Sequence, residues 1–390
     1  MFKNELRKDI AIIDSTFPQT KPRGFRNSEI CEYLRTTKNI HSFAMYPMKP
    51  DKDAWFEHGY GMTKDEFKRN LSEYRKHYPN NVKKIHYLDP QKKYKFKLAY
   101  SFFLAETYTL LPFFEKNKTP FVFCLYPGGA FGLNNEKSDA MLKKIAASNY
   151  CRGVIATQKI TKDYLIEKAI FNEDKIRYIY GGFVQFSEAG LLPSKKFGRD
   201  KSTLDVCFVA KKYSERGVDK GYDIFIETAK KVIDQTENIN FHVVGNFTKK
   251  DISIVGYENR IVHYGLQQPE NLKVFYSTMD IYVSPNRPHK LFEGNFDGFP
   301  LGGDAGYLGV ARFVSDELGM NDKYIDTVDI VIIKLNSDEI AKKIIHYRNQ
   351  PNMLISIAQK GQKKTQKLLN RETQIRKRLD FFSEFVEVKT

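Results

Sequence analysis

Asp280-Ile-Tyr-Val-Ser-Pro285 and, shortly after it, Asp297-Gly-Phe-Pro-Leu-Gly-Gly-Asp304-Ala-Gly306 decide how this chain is read. The first is apolar, β-prone and stopped by a proline, as expected of a buried strand. The second packs four glycines and two carboxylates into ten residues, so a loop leaves the carboxyl end of that strand. In open α/β sheets ligands bind at that edge. Glycines let backbone N–H groups approach phosphate, a helix opening near Asp304 adds its positive end, and a carboxylate accepts bonds from sugar hydroxyls. A nucleotide-sugar meets all three demands. The plainer alternative is a Gly-rich turn that only lets a helix pack closely on its sheet.

Working outward, 390 residues exceed one ordinary core and call for two domains. The expected fold class is α/β, with two Rossmann-like, doubly wound domains facing a cleft. The expected ranges are 1–195, 196–370, and a C-terminal helix over 371–390 returning toward the first domain. The signals alternate. Strand Asp9 to Asp14 and helix Ser28 to Leu34 come first, then a poorly patterned stretch from Asn39 to Tyr94. Helix Leu98 to Leu111, strand Pro120 to Leu125, helix Glu136 to Ala147, strand Gly153 to Thr157, helix Thr161 to Lys168 and strand Ile176 to Tyr180 complete the first series. The pattern lapses from Gly181 to Lys201, as in a linker. The second series has strands at Asp205 to Val209, Asn240 to Val244, Ile261 to Tyr264, Ile281 to Val283, Ala311 to Ser315 and Ile330 to Leu335. Its helices span Tyr222 to Gln235 and Pro269 to Thr278, and a long basic amphipathic ending runs through Val386.

Apolar runs such as Phe121 to Leu125 stop far short of the ~20 residues a membrane-spanning helix needs, and the N-terminus lacks the apolar core of a secretory signal. A cytoplasmic location follows. Cys31, Cys124, Cys151 and Cys207 show neither metal nor redox spacing and read as reduced thiols. The net charge of +16 implies attraction to something anionic, which includes the inner face of a membrane, or else a solvated basic surface. No zinc-finger or RNA-binding signature accompanies it, so nucleic acid is not expected as a partner.

Four features of the second half act together: Lys211-Lys212-Tyr213, Asp219-Lys220-Gly221-Tyr222-Asp223, Phe241-His-Val-Val-Gly245, and the loop Asp297 to Gly306. Their order resembles that of the retaining GT-B glycosyltransferases of glycosyltransferase family four. The tetrad Ser284-Pro-Asn-Arg287 followed by Asp297-Gly-Phe-Pro is similar to a subgroup associated with bacterial surface polysaccharides. The resemblance implies a metal-independent enzyme with no cofactor. Its substrates would be a UDP-linked sugar donor and a glycan or lipid-linked acceptor. It places Lys212 (or its neighbour Lys211) and Lys220 on the donor diphosphate, where cations stabilise the charge of a departing group, and Asp297 at the sugar. Donor contacts are implied for Lys211, Gly24, Gly245, Asn286, Arg287, Gly298, Phe299, Pro300, Leu301, Gly302 and Asp304, with Asp304 as the ribose-binding acid. Asp297 and Asp304, with six residues between them, replace the two glutamates of the family pattern.

In the first half the family's Gly-rich loop corresponds to Pro22-Arg-Gly24-Phe-Arg26. Where the family has a histidine, this chain has Tyr126-Pro-Gly128-Gly129, which is assigned to the acceptor side. Tyr126 orients a sugar there or simply caps the sheet. Singly, Lys211 and Lys220 read as surface lysines, and Asp51-Lys-Asp53 as solvent-exposed. His289 and Arg287 sit in the approach to Asp297, and His242 and His263 read as core histidines. The rival function is a non-catalytic nucleotide-sugar or glycan-binding protein on the same fold.

Overall fold

The protein is described from a computed structural model covering residues 5–19, 24–54, 56–184, 186, 192, 194–287 and 302–390, with side chains from residue 8 onward. The chain divides into two compact units, 1–183 with 371–390, and 184–370.

In the first unit, β1 (Glu5–Asp14), α1 (Gly24–Thr36), β2 (Ile40–Ala44), α2 (Lys64–His77) and β3 (Ile85–Tyr87) lead to β4 (Lys93–Phe102) and α3 (Leu104–Lys116). Then follow β5 (Phe121–Leu125), α4 (Glu136–Ala146), β6 (Cys151–Ala156), α5 (Lys159–Glu167) and β7 (Ile176–Tyr178). The sheet order is β3-β2-β1-β4-β5-β6-β7, and every pairing is parallel. Helices cover both faces of such sheets, so the central strands carry unbroken apolar runs. Ile10 to Ile13 and all of β5 are fully buried.

The same rule corrects one expectation. Leu98 to Phe102 is the end of β4, and the helix opens only at Leu104, after Phe103 at φ 59°. A strand apolar on both faces has no period-two signature, and pairing with β1 and β5 decides its state. The stretch Asn39 to Tyr94 holds β2, α2 and β3, with α2 started by a capping box between Thr63 and Glu66.

The second unit contains β8 (Leu204–Val209), α6 (Tyr222–Ile233), β9 (Ile239–Val244), β10 (Ile261–His263), α7 (Pro269–Ser277) and β11 (Ile281–Ser284). After these come α8 (Gly303–Tyr307), β12 (Ala311–Val314), β13 (Val331–Ile332), α9 (Ser337–Arg348) and α10 (Pro351–Leu369). Its sheet runs β10-β9-β8-β11-β12-β13, again parallel. The basic ending is two helices, because Asn370 is extended at ψ 131°. The last, α11 (Arg371–Ser383), buries Leu379, Phe381 and Phe382 in the core of the first unit. Among the described residues, no helix is long and apolar enough to cross a membrane. Cys124, Cys151 and Cys207 are buried free thiols and Cys31 is half-buried.

Candidate functional site

In the second sheet the chain steps outward from β8 to one side and from β11 to the other, although the two strands are neighbours. Loops leaving their carboxyl ends therefore diverge, and the gap between them is where such sheets bind ligands. Lys211 to Lys220 follow β8, and Pro285 to Arg287 follow β11. One glycine brings these segments together, and a second sets the loop after β9 against the end of β8. At Gly221, φ is 71° and a Cβ would lie 1.9 Å from the Pro285 carbonyl, so only glycine lets the lysine loop press against the end of β11. At Gly245 a Cβ would lie 2.0 Å from the Ala210 carbonyl, so this glycine serves the approach of two loops.

The cations sort themselves differently from the expected pair. Lys212 Nζ donates to Asp251 Oδ1 at 2.6 Å, and its backbone N–H donates to Asn246 Oδ1 at 2.7 Å. Burial pushes the Asp251 carboxyl up, but bonds from Lys212 and Thr248 outweigh it and hold the group below its ordinary range. Lys211 and Lys220 instead place their ammonium groups 5.2 and 5.5 Å from the ring centre of Tyr213. Both ammonium groups therefore lie near a single exposed aromatic ring. The preferred cation beside Lys220 is thus Lys211, because Asp251 already occupies Lys212.

Arg287 forms a two-pronged pair with Asp223, at 2.6 and 2.9 Å, and also donates to the Val218 carbonyl at 2.8 Å. Its fork is used to tie the β11 loop to the start of α6, which is a positioning role. Asn286 is buried, and its carbonyl accepts from Ser315 Oγ at 2.9 Å. Gly302 caps α8 and packs on the Tyr282 ring, and Asp304 lies half-buried in the first turn of that helix. Asp297, Gly298, Phe299, Pro300, Leu301 and His289 fall outside the described residues.

The first sheet has its own reversal between β1 and β4. Asp14 ends β1, Gly24 opens α1, and Glu106 lies in the first turn of α3. Arg26 joins them, 3.2 Å from Asp14 Oδ2 and 2.5 Å from Glu106 Oε1. Asp14 Oδ1 also accepts the backbone N–H groups of Thr16 and Phe17, each at 2.7 Å. Arg26 is visible in the sequence, but its two carboxylates come from positions 14 and 106 and are joined to it only by the fold.

Burial pushes the Glu106 carboxyl up to about 7; Arg26 opposes the rise and Asp14 adds to it. The folded state therefore binds this proton more tightly than the unfolded chain. The contribution to stability is complete below about 4.5 and is lost as pH rises through about 7. Denaturant titrations across that range should show wild type losing stability, relative to Glu106→Gln, as pH rises. A difference that stays constant with pH would overturn this account.

Tyr126 is not an acceptor-side hydroxyl. It is fully buried, donates to Glu29 Oε2 at 2.7 Å and accepts from Arg378 at 3.1 Å. A ring at the end of a buried strand turns inward, and its hydroxyl must then find protein partners. Gly128 and Gly129 form the turn after it, closed by the Phe131 N–H on the Gly128 carbonyl at 3.1 Å. His242 is buried and bonds Asp205 and Tyr264 at 2.8 and 3.0 Å, whereas His263 is half-buried on the edge strand β10 and bonds Tyr222 at 2.7 Å. Asp51 and Asp53 pair with Lys144. Among the described residues, no three His, Cys, Asp or Glu side chains are placed to hold a metal ion.

Residues 195–364 match the family model of glycosyl transferases group 1. The chain is a glycosyltransferase of GT-B fold. No curated protein matches the enzyme's sequence significantly. Among solved structures, a glycosyltransferase from Rickettsia africae is similar to the enzyme at 14% identity and a TM-score of 0.66, covering 97% of this chain and 98% of its own. HepE from Anabaena, solved with UDP-glucose, aligns at 13% identity and 0.64 over 96% and 99% of the two chains. Sucrose-phosphate synthase from Thermosynechococcus elongatus gives 15%, 0.63, and 97% and 99%. These likenesses establish the fold. The matched stretch spans the β8 loop, Gly221, Gly245 and the β11 loop of the enzyme.

Proposed function

We propose that the enzyme moves a hexosyl group from a UDP-linked sugar to a hydroxyl of a glycan or lipid-linked acceptor in surface polysaccharide synthesis. The reading includes retention at the anomeric carbon and independence of metal ions, both of which rest on the sequence resemblance. The observation that carries it is the pair Lys211 and Lys220 on Tyr213, at the carboxyl edge beside the strand reversal. When the bond from the anomeric carbon to the β-phosphate oxygen breaks, charge builds on the diphosphate. Two fixed cations lower that cost at the moment it arises. The new bond forms to the acceptor oxygen, whose proton leaves with the diphosphate. HepE, solved with UDP-glucose, supports UDP as the carrier.

Asp304 is assigned to the ribose hydroxyls. Replacing it with alanine should weaken UDP binding by roughly 1–3 kcal/mol, the worth of a charge-assisted hydrogen bond. Calorimetry on the full chain measures this, and an unchanged dissociation constant moves the ribose contact elsewhere. Transfer itself is tested by UDP release from a panel of UDP-sugars with glycan acceptors, with and without a chelator. Tight UDP binding with no release on any pair would favour a binding protein. The net charge of +16 fits an acceptor met at an acidic membrane face, where each nearby Lys or Arg gains about 1 kcal/mol.

A further inference from the structure

At the opposite, amino-terminal edge of the first sheet lies a cavity of about 450 Å³ that the transfer chemistry does not use. Lys8 and Asp9 of β1 line it, as do Lys95 and Lys97 of β4, with Lys38 just ahead of β2. The lysines on β4 are set by the strand period. Lys93, Lys95 and Lys97 are exposed while Tyr94 and Phe96 between them are buried. Among the lining residues one carboxylate faces four lysines: Asp9 takes Lys97 at 2.8 Å and the Asn39 amide at 3.1 Å, and Glu387 acts on Lys97 from outside the lining. Among the described residues, no carboxylate lies within 4.0 Å of the ammonium groups of Lys8, Lys38 or Lys95.

His41, on the cavity wall, faces His86 with ring nitrogens 2.9 Å apart. Burial, and then the charge of Lys8, push both imidazoles down to about 4. They stay neutral at physiological pH, so His41 lines the cavity without adding charge. The rim is tied down as well. The Lys38 N–H donates to the Lys389 carbonyl at 2.6 Å, and the Asn39 amide donates to the Glu387 carbonyl at 2.8 Å. Gathering cations this way costs self-repulsion that a bound anion relieves.

We propose that this cavity binds a phosphomonoester or diphosphate group, at a site separate from the one that holds the donor. Its shape is that of a pocket fixed on three strands, and its charge exceeds what its own carboxylate neutralises. The site depends on nothing in the second unit, so it stands or falls independently of the proposed donor chemistry.

The test uses the full chain carrying Lys211→Ala and Lys220→Ala, which removes the proposed donor cations, with pyrophosphate as the probe. Calorimetry should show binding, and adding Lys38→Glu with Lys95→Glu should weaken it by about tenfold or more. Adding Lys143→Glu with Lys363→Glu, exposed lysines elsewhere, should change it by less than about twofold. Vesicles of equimolar phosphatidylcholine and phosphatidic acid form the second arm. Co-sedimentation lost in the Lys38→Glu, Lys95→Glu protein assigns the site to a lipid headgroup, and pyrophosphate binding alone assigns it to a free phosphate ligand. No binding in either arm, or equal loss with the control pair, overturns the proposal.

Discussion

Replacing Lys220 with alanine is expected to lower the transfer rate about 10²-fold, the usual cost of losing one preorganised electrostatic stabiliser. Lys220 is largely buried and sits beside Gly221, at the end of the loop that presses against β11. Its ammonium shares the Tyr213 ring with that of Lys211. Lys211→Ala should act on the same charge and lose a similar amount. Lys212→Ala should lose much less, because its ammonium already belongs to Asp251. The effect should fall on kcat more than on KM, since the charge being answered grows only as the diphosphate departs. Steady-state rates with a UDP-sugar, on variants whose circular dichroism matches wild type, decide the matter. A Lys220→Ala rate within about twofold of wild type would remove the lysine pair from the mechanism.

The second large effect is on stability. Arg378, on α11, and Glu29, on α1, are both fully buried, with Nε 3.2 Å from Oε1. Tyr100 and Tyr126 donate to Glu29 at 2.8 and 2.7 Å, while Arg378 donates to Gln374 Oε1 at 2.6 Å and to the Tyr126 hydroxyl at 3.1 Å. Arg378→Ala leaves the Glu29 charge buried and unanswered, which should destabilise the first unit by about 3–5 kcal/mol. Two units need not unfold together, so the readout should be local: hydrogen exchange at the amides of β1 and β4. The double variant Glu29→Gln, Arg378→Met removes both charges and should recover much of the loss. Protection within about 1 kcal/mol of wild type in Arg378→Ala would show that the pair contributes little.

The two residues of that pair come from opposite ends of the chain, and this separates what was legible from what was not. Strand signals such as Ile10 to Ile13 or Phe121 to Leu125 are local: a buried parallel strand needs a short apolar run, and the run announces itself. The lysine loop and its glycines were visible for a similar reason, since charge and backbone freedom are properties of single residues. The Leu98 to Phe102 strand was misread as helix because being buried on both faces removes the pattern that distinguishes the two.

By itself, then, the sequence determined the α/β character, and it marked the charged and glycine-rich segments to which the chemistry is proposed to belong, all of which depend on neighbours a few positions apart. Only the tertiary structure decided which side chains those segments present. It gave Lys212 to Asp251 and left Lys211 beside Lys220, turned Tyr126 inward, committed Arg287 to Asp223, and set Lys8, Lys38, Lys95 and Lys97 around one cavity. Each outcome depends on a partner contributed by a distant part of the chain. Tyr126 and Arg378, for example, are 252 positions apart. Hydrogen bonds and ion pairs form over about 3 Å of space, and distance along the chain does not enter into them.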